Sequence, residues 1–317
     1  MATSGTYSFG VTRYDIIRQA MLNIGKLDPA EVPTPDELND CSFMLNMMCK
    51  QWMGKTDFAP GLKVWTRKRG FMLLRNTTGV YTIGPSAQGW TNNLKITSTT
   101  AAASAGAGSI TIADVGTVLA SDTVAVYLDS GALFFTSASS VVGSTVSLAA
   151  NLPSGASSGN TVFAYTLTAQ NPKDVETALL RNSDKSDTPL RIMTVQSYDY
   201  LPNKADPNYS GDPTAIYFER GLSSSTVYTD VGSAIDTRSY IVITYQEPIQ
   251  DMTNNSDEPY YPQEWYLALC WGLSEQIAPM FSARWTEKME ALKISAMAIA
   301  RQGDPERTEL FFQPGEE

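Results

Sequence analysis

Hydrophobic positions change period twice along this chain. Between residues 12 and 54 they recur every third or fourth residue, the spacing of an amphipathic helix. Ile16, Ile17, Ala20, Met21 and Ile24 make one face of a helix over 12–24, with Gly25 as its stop. Leu38, Cys41, Leu45, Met48 and Trp52 stripe a second helix over 35–53. That second helix is punctuated at both ends. Thr34 is placed to cap its first amides, Pro35 suits its first turn, Glu37 completes a capping box, and Gly54 offers a left-handed stop. The helical period returns near the other end. Pro262 opens a helix over 262–278 carrying Tyr266, Leu269, Leu273 and Ile277, and Ser282 is the expected cap of a helix over 283–302 carrying Trp285, Met289, Leu292, Ala296 and Ile299. Residues 1–10, small and polar, read as an arm.

Between these regions the pattern alternates with period two. Residues 62–83 are strand-like and end in Tyr81-Thr82-Ile83 before a Gly84-Pro85 turn. From 92 to 168 only Lys95, Asp114, Asp122 and Asp129 are charged, yet Ile110/Ile112, Val124/Val126/Leu128, Leu133/Phe135, Val146/Leu148 and Val162/Ala164 keep the alternation that disordered segments lack. Turn residues at Asp129-Ser130-Gly131, Val142-Gly143-Ser144 and Pro153-Ser154-Gly155 divide the stretch into about five short strands, with Ala101–Gly108 as a flexible lead-in. Further short strands are expected at 191–195, 215–220, 226–228 and 240–245, the last apolar on both faces. The fold class that follows is α+β: a helical bundle from both termini, a mixed β region, and an inserted small β barrel or sandwich. In domain terms this is a discontinuous core of 1–91 with 169–302, an insertion at 92–168, and an extended tail at 303–317.

Charge and composition narrow the chemistry. The thirty-three acidic and twenty-three basic residues leave a net charge of −10, which disfavours tight wrapping of duplex DNA while permitting transient, non-specific passage of DNA along a wall. There is no histidine, so Ser-His-Asp and Cys-His catalysis and His-based zinc sites are excluded. Cys41, Cys49 and Cys270 lack CxxC spacing, fall on predicted helices, and read as reduced core thiols. No cofactor or metal site is expected: the clusters Asp206/Asp212 and Asp251/Asp257/Glu258 lack calcium-loop spacing. Neither a leader-type segment nor an apolar run long enough to span a bilayer appears, so no membrane partner is expected.

Two stretches stand out as contact candidates. Lys63, Arg67, Lys68 and Arg69, with Arg75 beyond them, form the one dense basic run, a site for DNA or an acidic partner set against the simpler reading of a solvated strand face. In the tail, Leu310, Phe311 and Phe312 form an apolar knot among acids and prolines, the pattern of a segment that docks on a partner rather than one that stays solvated. Met44, Met47, Met48 and Met53 fill either gaps between subunits or a monomer core. The pairs Trp265/Trp271 and Tyr260/Tyr261 read as packing rather than a sugar platform. A glycosidase would need two carboxylates, for which Glu264 or Glu275 are nominees, and a carbohydrate-binding module on 92–168 is a further alternative.

The order of motifs resembles the head-to-tail adaptors of short-tailed bacteriophages, also called tail accessory factors or packaged-DNA stabilization proteins. The resemblance rests on RYDIIRQAMLNIGKL, TPDELND leading into a helix that ends in QW, YTIGP at 81–85, DTPLRIMTVQSYDYLPNK at 187–204, GDPTAIYFERG at 211–221, YIVITYQEPIQDM at 240–252 and YPQEWYLALCWGLSEQIAPMF at 261–281. The inserted segment is separately similar to small β barrels carried by some phage adaptors. The resemblance implies a non-enzymatic virion component, assembled in the host cytoplasm into a ring of about twelve copies under the portal. Such a ring continues or seals the DNA channel and offers a platform for the tail nozzle and tail fibre proteins. It further implies that residues 303–317 reach the portal protein, with Leu310, Phe311 and Phe312 as anchors, and that the four helices build the ring wall.

Overall fold

The computed structural model describes residues 9–54, 64–76, 78–204 and 206–302. Along the chain the elements are α1 (Arg13–Asn23), α2 (Pro35–Trp52), β1 (Arg67–Leu73), β2 (Val80–Ile83), β3 (Trp90–Thr91), β4 (Lys95–Ser98), β5 (Ser109–Thr111), β6 (Thr123–Tyr127), β7 (Leu133–Val142), β8 (Thr145–Leu148), β9 (Thr161–Tyr165), β10 (Asp174–Arg181), β11 (Asp187–Met193), α3 (Val195–Asp199), β12 (Ser210–Gly211), β13 (Ala215–Glu219), β14 (Ser225–Thr229), β15 (Ser233–Ala234), β16 (Tyr240–Gln246), α4 (Tyr266–Ile277) and α5 (Glu287–Gln302). They form two compact units, Met1–Thr66 with Ile249–Glu317, and Arg67–Pro248.

The expected helical bundle from both termini is not the architecture. Among the described residues the chain is mostly sheet, dominated by a nearly closed, barrel-like eight-stranded sheet, and the five α-helices are short. The strands that sequence shows as separate pieces are joined by long-range pairing. The order is β2-β14-β13-β11-β10-β16-β1-β3, with β1 beside β16 although Arg67 and its partner Gln246 lie far apart in sequence. β16 lies inside this sheet, antiparallel to both β1 and β10. Its alternation is doubly buried. Ile241, Ile243 and Tyr245 enter one core with Met72, Trp90, Ile216 and Val227, while Tyr240 and Val242 enter another with Leu73, Phe163 and Tyr165. Full burial of each such aliphatic side chain contributes roughly 1.5–3 kcal/mol.

The six-stranded sheet, in the order β4-β9-β6-β7-β8-β5, closes on itself. A bridge joins Thr99 to Ile112, Thr100 N–H donates to the Thr111 carbonyl (2.8 Å), and Ala113 N–H donates to that of Ser98 (2.9 Å). Alternation sorts its side chains: Val124 and Val126 point into a core with Ile110, Val146 and Val162, and Ala125 points out with Phe163 and Tyr165 onto the larger sheet. The Tyr165 hydroxyl accepts from Gly89 N–H at 2.8 Å and ties the two sheets together. The Ala101–Gly108 stretch is no loose lead-in, because Ala103 and Ala156 exchange both backbone hydrogen bonds and Gly106 donates to Leu152.

In the other unit, local capping sets where helices begin. Thr12 and Asp15 form a capping box on α1, and the next amides, of Arg13 and Tyr14, donate to the carbonyls of Asp257 (2.8 Å) and Asn255 (3.1 Å). Thr34 and Glu37 do the same for α2, with Thr34 N–H donating to Glu37 Oε2 at 2.9 Å. Two expected boundaries are corrected. α2 ends on Met53 in right-handed helical conformation (φ −69°), so no left-handed stop at Gly54 is used. Ser282 has φ +52°, outside the extended range of an N-cap, and Thr286 caps α5 instead by accepting from Met289 N–H. α1, α2, α4 and α5 share one core, in which Ile16, Met21, Cys41, Leu45, Trp265, Leu269 and Leu273 are fully or almost fully buried.

Candidate functional site

The helices of this unit differ in how much apolar surface they hide. α2 buries Cys41, Leu45, Met48, Cys49 and Trp52, yet on its opposite face Phe43 is 66 % exposed and Met47 52 %. Of the four methionines on or beside this helix, Met48 is buried in the core and Met47 faces out. α5 buries only Ala296 and Ala300. Leu292 and Ile299, expected on its core stripe, are instead 41 % and 60 % exposed. The inward side of α5 carries the small Ala296 and Ala300, with Met297 packed beside the core, and Leu292 and Ile299 turn outward.

Two grooves flank these faces. One, of about 670 Å³, lies beside Phe43 and Met47 and is completed by Arg13, Asn46, Lys50 and Asp251–Thr253. Its polar rim is already committed: Lys50 Nζ reaches Asp251 and the Ile249 carbonyl, each at 2.6 Å, and Arg13 donates to the Met252 carbonyl and to Asn255. The other, of about 410 Å³, lies among Met48, Trp52, Glu275, Lys293, Met297 and Arg301. There Lys293 bridges Glu275 and Glu290, both at 2.7 Å, while Trp285 Nε1–H donates to Glu290. Burial disfavours the Lys293 ammonium, but the two carboxylates more than offset it and its pKa is raised.

The candidate contact residues fall as follows. Leu310, Phe311, Phe312 and Lys63 lie outside the described residues. Arg67, Lys68 and Arg69 are the first three residues of β1, so Arg67 and Arg69 share one sheet face and Lys68 takes the other. Acids stand close to all three. Arg67 is bridged to Glu176; Lys68 opposes the upward shift that burial imposes on Glu247; and Asp187, held below the usual carboxylate range chiefly by Arg181, also feels Arg69. The dense run in sequence is thereby divided over two faces of a sheet.

Most of the acidic residues singled out above make structure-forming contacts, and Glu264 lies on the surface. Glu275 belongs to the Lys293 bridge, Glu264 is exposed in a short 3-10 turn, Asp257 accepts from the amides of Thr253 and Asn254, and Asp206 accepts from that of Asn208. Among the described residues no group of three or more His, Cys, Asp or Glu is placed to hold a metal ion. The thiols are poor nucleophiles: burial pushes Cys41 up to about 11 and Cys49 and Cys270 up to about 12. Trp265 and Tyr261 are core residues, with ring centroids 5.7 Å apart.

Two features escape a reading of sequence alone. Phe43 lies off the buried stripe of α2, and its spacing of four from Met47 is the one signal of it in the sequence. The second is an aromatic stack of Tyr198, Tyr217 and Tyr228, drawn from α3, β13 and β14, with near-parallel rings 5.4 Å and 5.6 Å apart about Tyr217 and Lys204 Nζ 4.5 Å from the Tyr198 ring. No sequence period links these three tyrosines: strand pairing sets Tyr217 opposite Tyr228, and α3 brings Tyr198 against them. No helix among the described residues is long and apolar enough to cross a membrane. Compared with protein-family models and with curated proteins, the chain matches none.

Proposed function

We propose that this chain is a structural virion protein, a head-to-tail adaptor that assembles as a ring between the portal and the tail of a short-tailed bacteriophage and continues or seals the DNA channel. The observation that carries this reading is the outward apolar face on two helices of one unit, Phe43 and Met47 on α2 and Leu292 and Ile299 on α5. Large apolar side chains clustered on exposed helices are the signature of surfaces that meet another protein. The ordered run of motifs from RYDIIRQAMLNIGKL to YPQEWYLALCWGLSEQIAPMF supports the same reading, as does a candidate catalytic glutamate already held by a lysine. Its partners on this proposal are the portal protein, the tail nozzle and tail fibre proteins, further copies of itself, and genomic DNA in passing.

The test is binding of the purified chain to the portal protein of the same virus, followed by imaging of the complex. A ring of copies on the portal is expected. Replacing Leu310, Phe311 and Phe312 together by serine is expected to lower attachment at least tenfold with an unchanged unfolding midpoint. No attachment of the unaltered chain, together with its absence from purified particles, overturns the proposal.

A further inference from the structure

The outward face of α2 is graded along its length: Asp36 and Asp40 come first, then Phe43 and Met47, then Gln51, all exposed. α5 and its lead-in carry a matching gradient of opposite sign. Arg284 and Lys288 come first, then Ala291 with Leu292, then Ser295, then Ala298 with Ile299, and these too are all exposed. Among the described residues none of Asp36, Asp40, Arg284 and Lys288 takes part in a salt bridge. Lys288 also sits in the first turn of α5, where the helix dipole disfavours a cation, which leaves it better placed to meet an acid of another copy.

We propose that α2 of one copy packs parallel to α5 of a second copy, with Asp40 against Lys288, Phe43 on Ala291, Met47 on Ser295 and Gln51 beside Ile299. The spacing from Asp40 to Phe43, Met47 and Gln51 is repeated from Lys288 to Ala291, Ser295 and Ile299, so one displacement registers all four contacts. Large side chains of α2 then meet small ones of α5, which lets the two axes approach to about 8 Å. Asp36, one turn earlier, comes to the level of Arg284. Charge fixes the direction, because an antiparallel pair would carry Lys288 to the Lys50 end of α2 and leave Asp40 against Ala298 and Asp36 against Gln302. Glu287 does not spoil the match, since it points about a quarter-turn round the helix from Lys288.

The two faces differ, so each copy offers both and the contact is head-to-tail, the kind that closes into a ring when its rotation allows. This inference rests on the adaptor reading for the reason copies meet, but not for the geometry of the contact. The full chain carrying both Met47→Cys and Ser295→Cys tests it under mild oxidation, free at high concentration and bound to portal. The native thiols are buried and do not compete. A ladder of covalent dimers, trimers and larger species is expected from the double variant, and no more than background dimer from either single one. A fast-migrating internally linked monomer, dimers from Met47→Cys alone, or no ladder in either state overturns the pairing. Asp40→Lys is expected to weaken self-association at least tenfold and Lys288→Asp, added to it, to restore it; failure of the swap also overturns the register. The outcomes stay separate from those for the adaptor role. A portal-bound ring without this crosslink removes only the α2–α5 contact, and a ladder from a chain that ignores the portal removes only the adaptor.

Discussion

The indole of Trp52 on α2 lies against the bare α-carbon of Gly272 on α4: a β-carbon there would stand 2.6 Å from Cζ2 of the ring and 3.0 Å from the Met48 sulfur. Tyr261 and Trp265 stand beside the ring at 6.4 Å and 6.1 Å between centroids, so it can yield only toward the groove that it lines with Met48. Gly272→Ala sets two effects against each other. Alanine is favoured in a helix interior by about 1 kcal/mol, while overpacking a filled core costs about 1–3 kcal/mol. Contact this short makes the second effect the larger, and a net loss of about 1–2 kcal/mol is expected in urea unfolding. A gain in stability would show that the indole can swing aside.

The capping box on α2 gives a pH signature. Glu37 is held below its ordinary value of 4.5, first by the Thr34 amide and then by Lys26. A carboxyl whose folded pKa is depressed adds stability above its unfolded value and loses that stability as pH falls through the folded one. The stability difference between the native chain and Glu37→Gln is therefore expected to be full at pH 6 and to shrink steadily below about pH 4.5. Thr34→Ala, which removes the partner cap, is expected to cost about 1 kcal/mol. Thermal melts of both variants from pH 3 to 7 check this, and a difference that grows toward acid would contradict it.

Asp122 anchors the closed six-stranded sheet from a position with no solvent exposure. Its carboxylate receives Lys95 Nζ at 3.1 Å, the Thr166 hydroxyl at 2.8 Å and the Leu119 amide at 2.8 Å. Asp122→Ala leaves those donors without their acceptor, and breaking such a pair costs about 3–5 kcal/mol, toward the lower end here because Lys95 keeps some contact with water. Asp122→Asn, which retains an acceptor oxygen, is expected to lose less. Equal losses in chemical denaturation would place the effect in packing rather than in the ionic contact.

What can be read from sequence follows from the range of the interactions involved. The starts of α1 and α2 are written in Thr12/Asp15 and Thr34/Glu37 because capping acts over three residues. β16 is equally legible, since Tyr240 to Tyr245 is apolar at every position or nearly so. β10 is not. A bulge between Val175 and Thr177 shifts its inward residues by one, so Val175, Ala178 and Leu180 break the period of two. The orientation of α5 is hidden for a different reason: Leu292 and Ile299 are the most hydrophobic positions of the pattern, yet the residues that meet the core are the small Ala296 and Ala300.

The contact candidates divide in the same way. Arg67, Lys68 and Arg69 look like one patch when adjacency is counted along the chain, but a strand sends neighbours to opposite sides. The acids beside them, Glu176, Asp187 and Glu247, come from three other places in the sequence and become visible only once β1, β10, β11 and β16 are side by side. Phe43 and Met47 are the reverse case, local in sequence yet recognisable as outward only after the rest of α2 has found its core.

Seaming β4 to β5 matters beyond the geometry of the small barrel. A stretch this poor in charge and rich in valine, threonine and alanine has the composition of segments that recruit their own kind into fibrils, and what usually restrains them is a charge or proline on an open flank. Here the amides of Thr100 and Ala113 are spent on Thr111 and Ser98, so the folded domain has no hydrogen-bonding flank along that seam to which a neighbour's strand could attach.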